Sequence, residues 1–157
     1  MTRFTHFDKG GKARMVDVSE KSVTEREAVA RGFVSMKTST LQMIDNSTIA
    51  KGDVLGVARV AGIMAAKKTS ELVPMCHPLN IASVTIDFDI DTTNNRIQIE
   101  SRVKITGQTG VEMEALTAVS VAALTIYDMC KSADRGMIIS DIMLVEKRGG
   151  KSGIFKR

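Results

Sequence analysis

The chain has 157 residues, of which 43% are hydrophobic and 25% charged, and its net charge is +4 at pH 7. This length predicts one domain over residues 1–157 that buries a core without disulfides or a structural metal. Its two cysteines form no disulfide framework, and no signal peptide or run of about 18 to 20 apolar residues is present, so we expect a cytoplasmic protein without a membrane span. The positive net charge suits an anionic partner, but it does not distinguish between a nucleotide, a nucleic acid and a membrane surface.

The N-terminal part of the chain predicts an arm followed by a strand. Residues 1–13 lack an apolar segment, and we expect a mobile arm in which His6 is a solvated side chain. Residues 14–19 form a short extended candidate, and residues 23–36 contain a β-compatible stretch whose alternation is imperfect. The first strand is therefore expected within 23–36.

Two helices are expected next. Thr38 or Ser39 can cap a short helix that ends after Ile44. Asp53 is the N-cap candidate of a longer helix over residues 54–70, which finishes on two lysines. The longer helix is rich in alanine and glycine, which permits close approach of a neighbouring backbone.

The central part predicts a stiff extended segment and a hairpin. The only two prolines of the chain bracket residues 74–78 and restrict the backbone there. Apolar and polar residues then alternate over 84–90 and 97–105 on either side of the turn 91–95. We expect an antiparallel hairpin with one solvated face.

A long helix is predicted within Gly107–Ser132. Glu112 and Glu114 lie in its first turn and Lys131 closes its last, as the helix dipole favours. The run 115–127 between them carries no charge, so this helix should have no fully solvated face and should be surrounded by protein.

The C-terminal part predicts a mostly buried strand over residues 136–145 and a flexible basic tail, which we place at residues 147–157. The order strand, helix, strand, strand, helix, strand is the βαββαβ arrangement of ferredoxin-like folds. The expected fold class is therefore α+β, with an antiparallel sheet covered by helices on one face.

Several motifs do not support a site. Gly150-Lys151-Ser152 lacks the earlier glycine of a phosphate-binding loop, which would fall at Val145. Two histidines and two cysteines without metal-ligand spacing predict no zinc site. Adjacent side chains diverge in an extended segment, so Cys76 and His77 should not form a thiolate-imidazole pair. Cys76 suits packing, and His77 is as easily structural as functional.

Asp128 and Lys131 lie three residues apart on one helical face. They could form only a surface ion pair. However, Asp128 continues an uncharged stripe through Thr117, Val121 and Leu124. A carboxylate and an amine at the edge of a buried stripe are candidates for acid-base chemistry.

Long motifs over about residues 15–153 closely resemble the cyclic pyranopterin monophosphate synthase family of molybdenum-cofactor biosynthesis. They are Lys51-Gly-Asp-Val, Ala61-Gly62-Ile, Pro74-x-Cys76-His77-Pro78-Leu79, Thr106-Gly107-x-Thr109-Gly110-Val-Glu112-Met113-Glu114, Tyr127-Asp128-Met-Cys-Lys131 and Gly149-Gly150-Lys151-Ser152-Gly153. The resemblance implies a lyase that converts 3′,8-cyclo-7,8-dihydro-GTP to cyclic pyranopterin monophosphate and releases pyrophosphate. It also implies a hexamer.

The resemblance assigns Asp128 and Lys131 as the acid-base pair. It implies substrate contacts from Met75, Cys76, His77, Glu112, Met113 and Glu114, with Lys51, Lys67, Lys68 and Lys147 available for the phosphates. The carboxylates of Glu112 and Glu114 could accept hydrogen bonds from the guanine N–H groups. No cofactor is expected, and a requirement for a divalent ion stays open.

Helix geometry separates these residues. Glu114 and Asp128 are 14 positions apart, which is about 21 Å of helical rise, and Lys51 and Lys67 are separated by about 24 Å. One substrate cannot easily bridge such distances. We therefore expect a homo-oligomer whose sites are shared between subunits, and the hexamer that the resemblance implies would be a trimer of dimers.

Two rival functions stay open from sequence. An RNA-binding module would suit a basic ferredoxin-like domain, but the exposed hairpin positions carry no aromatic residues for base stacking. A catalytically silent assembly protein with the same fold would tolerate loss of Lys131.

Overall fold

Five antiparallel strands form one sheet in the order β2-β3-β1-β4-β5. The structure is a computed structural model that describes residues 6, 8 and 10–157. The strands are β1 Thr24–Ser35, β2 Ser83–Asp91, β3 Arg96–Gly107, β4 Ile138–Arg148 and β5 Phe155–Lys156. The helices are α1 Thr38–Asp45, α2 Val54–Lys67, α3 Thr69–Leu72 and α4 Glu112–Cys130. The order of the main elements is β1-α2-β2-β3-α4-β4, and the short strand β5 follows them. This order confirms the predicted ferredoxin-like α+β fold.

The central strand β1 pairs along its whole length with β3, from Thr24 opposite Gly107 to Ser35 opposite Arg96. It also pairs with β4, where two register shifts interrupt the ladder. The predicted hairpin is formed by β2 and β3, in register from Ser83 to Asp91. These pairings place β1 and β3 in the middle of the sheet, where both of their edges are hydrogen-bonded.

The core lies between one face of the sheet and helices α2 and α4. Side chains that alternate along β1 and β3 point into it, and all are buried: Ala28, Ala30, Val34, Ile97, Ile99, Val103 and Ile105. Gly62 of α2 lies directly on α4, since a Cβ there would be 2.8 Å from the Ala118 carbonyl oxygen and 2.4 Å from the Ile86 side chain. The expected close approach of α2 to a neighbour is thus confirmed.

The other face of the sheet carries charges, as predicted for the hairpin. Arg31 pairs with Glu100 at 2.8 Å, and Arg102 pairs with Glu27 at 2.7 Å. Burial raises the pKa of Glu27, but the bonds from Lys104 and Arg102 outweigh it and hold that pKa below its ordinary value. Cross-strand ion pairs therefore cover this face instead of a hydrophobic layer.

The capping of α1 differs from the prediction. Lys37 is the N-cap residue, and Thr38 and Ser39 lie inside the helix. The Asp134 carboxylate, from the loop after α4, accepts a hydrogen bond from the Lys37 backbone N–H at 2.9 Å. A residue distant in sequence thus bonds the N-cap residue, and the expected local side-chain cap is absent from this helix. In contrast, Asp53 caps α2 as predicted, accepting from the Gly56 N–H at 2.8 Å.

The last strand was predicted to be mostly buried over residues 136–145, and this is wrong. No residue of β4 is buried, and Ile138 is 62% exposed. The physical reason is position: β5 pairs only with Glu146 and Lys147, so most of β4 forms the edge of the sheet. Strand β4 also continues to Arg148, and β5 is an element that the sequence analysis did not predict.

Helix α4 is only partly surrounded by its own chain. One side is buried against α2 and the sheet, whereas Leu124 on the opposite side is 58% exposed. The expectation that protein surrounds this helix is therefore met on one side by its own chain, while the single chain leaves the other side open. Among the described helices, α4 has the length and composition to cross a membrane, a test that core helices also pass.

The predicted N-terminal arm lies mostly outside the described residues, since residues 1–5, 7 and 9 are not described. Helix α2 ends at Lys67, three residues earlier than predicted, and the short helix α3 follows. A hydrogen-bonded turn follows, in which the Cys76 N–H donates to the Val73 carbonyl oxygen at 3.0 Å. The prediction of an extended segment is therefore wrong for residues 74–75, and the chain is extended only from Cys76 toward β2.

Candidate functional site

A cavity of about 240 Å³ lies at the N-terminal end of α4. Three parts of the chain line most of it: the segment before β1, the proline-bracketed segment, and the loop and first turn at the start of α4. Six residues predicted to contact substrate line this cavity: Met75, Cys76, His77, Glu112, Met113 and Glu114. The structure thus brings together residues that are more than 30 positions apart in sequence.

Glu114 is the buried carboxyl group of this cavity. It is 3% exposed, and burial, reinforced by the charge of Glu112, raises its pKa. Burial also raises the pKa of the Cys76 thiol, and the nearby Glu114 adds to this shift. Cys76 is therefore a neutral thiol that shapes the wall, as expected of a packing residue, and not an activated nucleophile.

Lys147 joins the same end of α4 from strand β4. Its Nζ lies 3.5 Å from a carboxylate oxygen of Glu112, and it also donates a hydrogen bond to the Ser152 Oγ. The Lys147 side chain therefore connects the Gly149–Gly153 turn, which contains Ser152, to Glu112 at the cavity. The positive charge of Lys147 therefore offsets the negative charge of Glu112 at this side of the cavity.

The second cluster lies at the opposite end of α4. Lys131 Nζ is 2.7 Å from one carboxylate oxygen of Asp128, and Lys51 Nζ is 3.6 Å from the other. The hydrogen bond and the charge of Lys131 lower the pKa of Asp128, and Asp128 in turn raises the pKa of Lys131. Both side chains are exposed in the single chain, so this ion pair is open to a ligand or to another subunit.

The two clusters do not meet within one chain. Lys51, before α2, contacts the end of α4, and Gly62 contacts its middle, so α2 and α4 are antiparallel. The last turn of α2, which contains Lys67, therefore lies toward the cavity end, while Lys68 is the C-cap. Among the described residues neither lysine lines the cavity. Glu114 and Asp128 lie in one continuous helix, Glu112–Cys130, as the predicted spacing requires, so about 21 Å of helical rise separates them.

Sequence reasoning missed several residues that line the cavity. They are Val16, Val18, Lys21, Leu79, Thr109 and Gly110. His6, expected to be solvated, is exposed and also lines it. The signal that could have found Val16 and Val18 is their alternation in an extended segment, because both face the cavity and are half-buried.

A larger cavity of about 450 Å³ lies across neighbouring ends of strands β1, β2, β3 and β4. Its basic side chains are occupied: Lys104 pairs with Glu27 at 3.2 Å, Arg148 pairs with Glu146, and Arg26 donates to the Gly107 carbonyl. It contains none of the predicted site residues. Size alone therefore does not make it the functional site.

A ferredoxin-like α+β domain with a polar cavity and a lysine-carboxylate cluster at the two ends of its long helix defines a small-molecule enzyme. The chain belongs to the MoaC family, which matches residues 15–150. It is 63% identical to the cyclic pyranopterin monophosphate synthase of Heliobacterium modesticaldum, over 100% of this chain and 99% of that protein. The same name is given to a Thermoanaerobacter pseudethanolicus protein, 63% identical over 98% and 97%, and to a Desulfitobacterium hafniense protein, 64% identical over 98% and 93%.

Among solved structures, the ferredoxin protease FusC in complex with Arabidopsis ferredoxin is similar at a TM-score of 0.35 and 12% identity. The match covers 71% of this chain and 10% of that protein, and nothing further rests on it. The family resemblance read from the sequence motifs is confirmed by the family match and the full-length relatives.

Proposed function

We propose that this chain converts 3′,8-cyclo-7,8-dihydro-GTP to cyclic pyranopterin monophosphate with release of pyrophosphate, in molybdenum-cofactor biosynthesis. The observation that carries the proposal is that six of its predicted substrate contacts converge on one cavity, in a chain 63% identical over its whole length to synthases of that name. The enzyme class is a phosphorus-oxygen lyase.

The cavity suits the purine-derived ring of this substrate. Glu112 and Glu114 supply carboxyl oxygens that accept N–H donors of the ring, and His77 supplies an imidazole on the facing segment. Because burial raises the pKa of Glu114, a ring N–H that hydrogen-bonds to its carboxylate offsets the cost of holding that charge inside the protein. Ring recognition is therefore the role that we assign to this end of α4.

The Asp128 and Lys131 pair suits the proton transfers that open the five-membered ring and rebuild the pterin. Asp128 keeps Lys131 protonated, so the ammonium can give a proton to a ring atom while the carboxylate can accept one. Lys51 stands beside them as a third charged group.

Pyrophosphate leaves when a substrate hydroxyl attacks the α-phosphate, and negative charge develops on the departing group. Positioned cations stabilise that charge. Lys51, Lys67, Lys68 and Lys147 are the lysines that we assign to this task. No cofactor is part of the proposal.

The active unit that we propose is a homo-oligomer, a hexamer built as a trimer of dimers. Support comes from the length of α4, which holds Glu114 and Asp128 too far apart to contact one substrate within a single chain. A second chain could bring its Asp128 end to the Glu114 end of the first. Apolar side chains on α2 and α4 are exposed in the single chain and could form the contact: Val57, Val60, Met64 and Leu124. We also propose a cytoplasmic location and no nucleic-acid or membrane partner.

The direct test is incubation of the purified oligomer with 3′,8-cyclo-7,8-dihydro-GTP, followed by measurement of pyrophosphate and pterin. We expect both products in equal amounts, and neither from Lys131→Ala. Absence of both products from assembled wild-type protein would overturn the proposal. Wild-type turnover by Lys131→Ala would instead remove Lys131 from the acid-base pair.

A further inference from the structure

The Lys147 side chain points to the face of the sheet that the helices cover. It lies opposite Ala28, a core residue of β1, and residues opposite each other in an antiparallel pair share a face. The next residue, Arg148, lies opposite Glu27 on the charged face. Lys147 therefore faces α4, where its Nζ lies 3.5 Å from a carboxylate oxygen of Glu112.

A β-bulge determines which residue of β4 takes this position. The register of β4 on β1 shifts between Leu144 and Glu146, so Val145 is the extra residue there. Leu144 packs against the core, and in a regular strand the residue two positions later, Glu146, would share its face. The bulge reverses the alternation, so the ammonium group of Lys147 faces α4 in place of the Glu146 carboxylate.

A tight turn follows β4 and brings the chain back along it. Gly149 and Gly150 have φ angles of 91° and 74°, in the left-handed region that favours glycine. A Cβ at Gly149 would lie 2.2 Å from the Glu25 carbonyl oxygen, so the turn contacts the backbone of β1. The Gly153 N–H donates to the Gly150 carbonyl oxygen at 3.2 Å, and β5 then pairs with the end of β4. Contacts with β1 and the pairing of β5 therefore fix the position of the turn.

Ser152 is the residue of this turn that contacts Lys147. Its Oγ accepts a hydrogen bond from the Lys147 Nζ, which also pairs with Glu112. Among the described residues, these two are the polar partners of the ammonium group, which has three N–H donors. A lysine side chain is flexible, so two acceptors from different elements restrict the Nζ to one place. The Lys147 side chain is 22% exposed, so its remaining N–H can reach a ligand.

We infer that Ser152 is a positioning residue for the reaction, because its hydroxyl holds the Lys147 ammonium group beside Glu112 in the orientation that meets the substrate. The inference rests on the proposed function, in which Lys147 is one of the lysines assigned to the phosphates. It gives the Gly149–Gly153 turn, which is not a phosphate-binding loop, the task of orienting a lysine of another element.

The first experiment compares Ser152→Ala, Ser152→Thr and a matched control, Ser39→Ala, which removes the hydroxyl of an exposed serine in α1. Loss of one hydrogen bond to Lys147 predicts a kcat that is about 3- to 10-fold lower in Ser152→Ala. We expect KM to change less, since a positioned cation matters most where charge develops on the leaving pyrophosphate. Ser152→Thr keeps a hydroxyl and should recover most of the loss. A wild-type kcat in Ser152→Ala overturns the inference.

A double replacement tests whether Ser152 acts through Lys147. In Lys147→Met the hydroxyl has no ammonium group to orient, so we expect Ser152→Ala to cause no further loss of kcat in that background. Single-turnover measurements with enzyme in excess keep the slow variants measurable. Losses that add in the double variant would show that Ser152 acts without Lys147 and would refute the positioning role.

A labelling measurement keeps this inference separate from the proposed reaction. The oligomer is treated with limiting acetic anhydride, and mass spectrometry compares acetylation of Lys147 with that of the exposed Lys12. We expect the Lys147 amine to react about 2- to 10-fold faster in Ser152→Ala, because it loses a partner that restrains it.

The outcomes of labelling and turnover distinguish the two proposals. If wild-type protein fails to turn over the cyclised substrate while Ser152→Ala speeds the labelling of Lys147, the reaction is wrong and the contact stands. If turnover by wild-type protein is normal and labelling is unchanged in Ser152→Ala, the contact is wrong and the reaction stands.

Discussion

Lys51 donates a hydrogen bond from its Nζ to the backbone carbonyl oxygen of Asp128 at 2.9 Å, although the two residues are 77 positions apart. This contact joins the start of α2 to the last turn of α4. It also places the Lys51 charge beside the Asp128 carboxylate, at 3.6 Å. The end of α4, where unpaired carbonyls accumulate partial negative charge, is thereby stabilised by a cation from another element.

Replacement of Lys51 by methionine removes this cation while keeping the length of the side chain. We expect turnover to fall by about 10²- to 10³-fold, because the group that we assign to stabilise charge on the leaving pyrophosphate is lost. Lys51→Arg should retain part of the activity. Pyrophosphate release measures both, with Lys156→Met, an exposed lysine of β5, as the control. Near wild-type turnover by Lys51→Met would contradict the assignment.

Replacement of Asp128 by asparagine should shift the pH dependence of the reaction. Asp128 raises the pKa of Lys131, so removing its charge lowers that pKa. If protonated Lys131 is the acid, the alkaline limb of kcat moves to lower pH in Asp128→Asn, because Lys131 loses its proton sooner. Rate profiles recorded from pH 6 to 11 measure this shift. A limb that stays in place would show that Lys131 does not titrate in it.

Mixing of two inactive variants tests whether sites are shared. Lys131→Ala disables one end of α4 and Glu114→Ala the other. Random pairing in equal amounts makes half of the dimers mixed, and each has one intact site of two, which predicts recovery of about a quarter of wild-type activity. Differently tagged subunits and native mass spectrometry establish exchange. No recovery in samples with proven exchange would refute shared sites.

The exposed apolar side of α4 predicts an assembly variant. We expect Leu124→Asp to weaken the oligomer, because a carboxylate in an apolar interface is costly to desolvate, while the single chain keeps its fold because Leu124 is exposed in it. Sedimentation velocity measures assembly, and circular dichroism measures the fold. Val23→Asp, at an exposed apolar residue before β1, is the matched control. An intact hexamer for Leu124→Asp would exclude this face as the interface.

The contact of α2 with α4 predicts a stability effect. Gly62→Ala places a methyl group within 2.8 Å of the Ala118 carbonyl oxygen, so the helices must separate. We expect the free energy of unfolding to fall by about 1–3 kcal/mol. Urea denaturation measures it against Ser39→Ala on the exposed side of α1, for which we expect a change below about 0.5 kcal/mol. Equal stability of Gly62→Ala and wild type would show that the interface relaxes freely.

Much of this protein can be read from the sequence, because local periodicity and capping are strong along most of the chain. The alternation in β2 and β3, the Asp53 cap of α2 and the uncharged run of α4 predict their elements within a few residues. The order of elements then predicts the ferredoxin-like topology. The 14 positions between Glu114 and Asp128 determine their separation, since a helix has a fixed rise per residue.

Tertiary structure decided what depends on distant partners. Local sequence suggested that Thr38 or Ser39 caps α1, but Lys37 is the N-cap residue, and Asp134 from another loop accepts its backbone N–H. The exposure of β4 follows from its place near the edge of the sheet, which its apolar composition does not encode. Likewise, only the folded chain joins Lys51 to Asp128 and brings Lys21 to the cavity. In both cases the two segments lie in different elements, so the number of residues between them does not determine their distance.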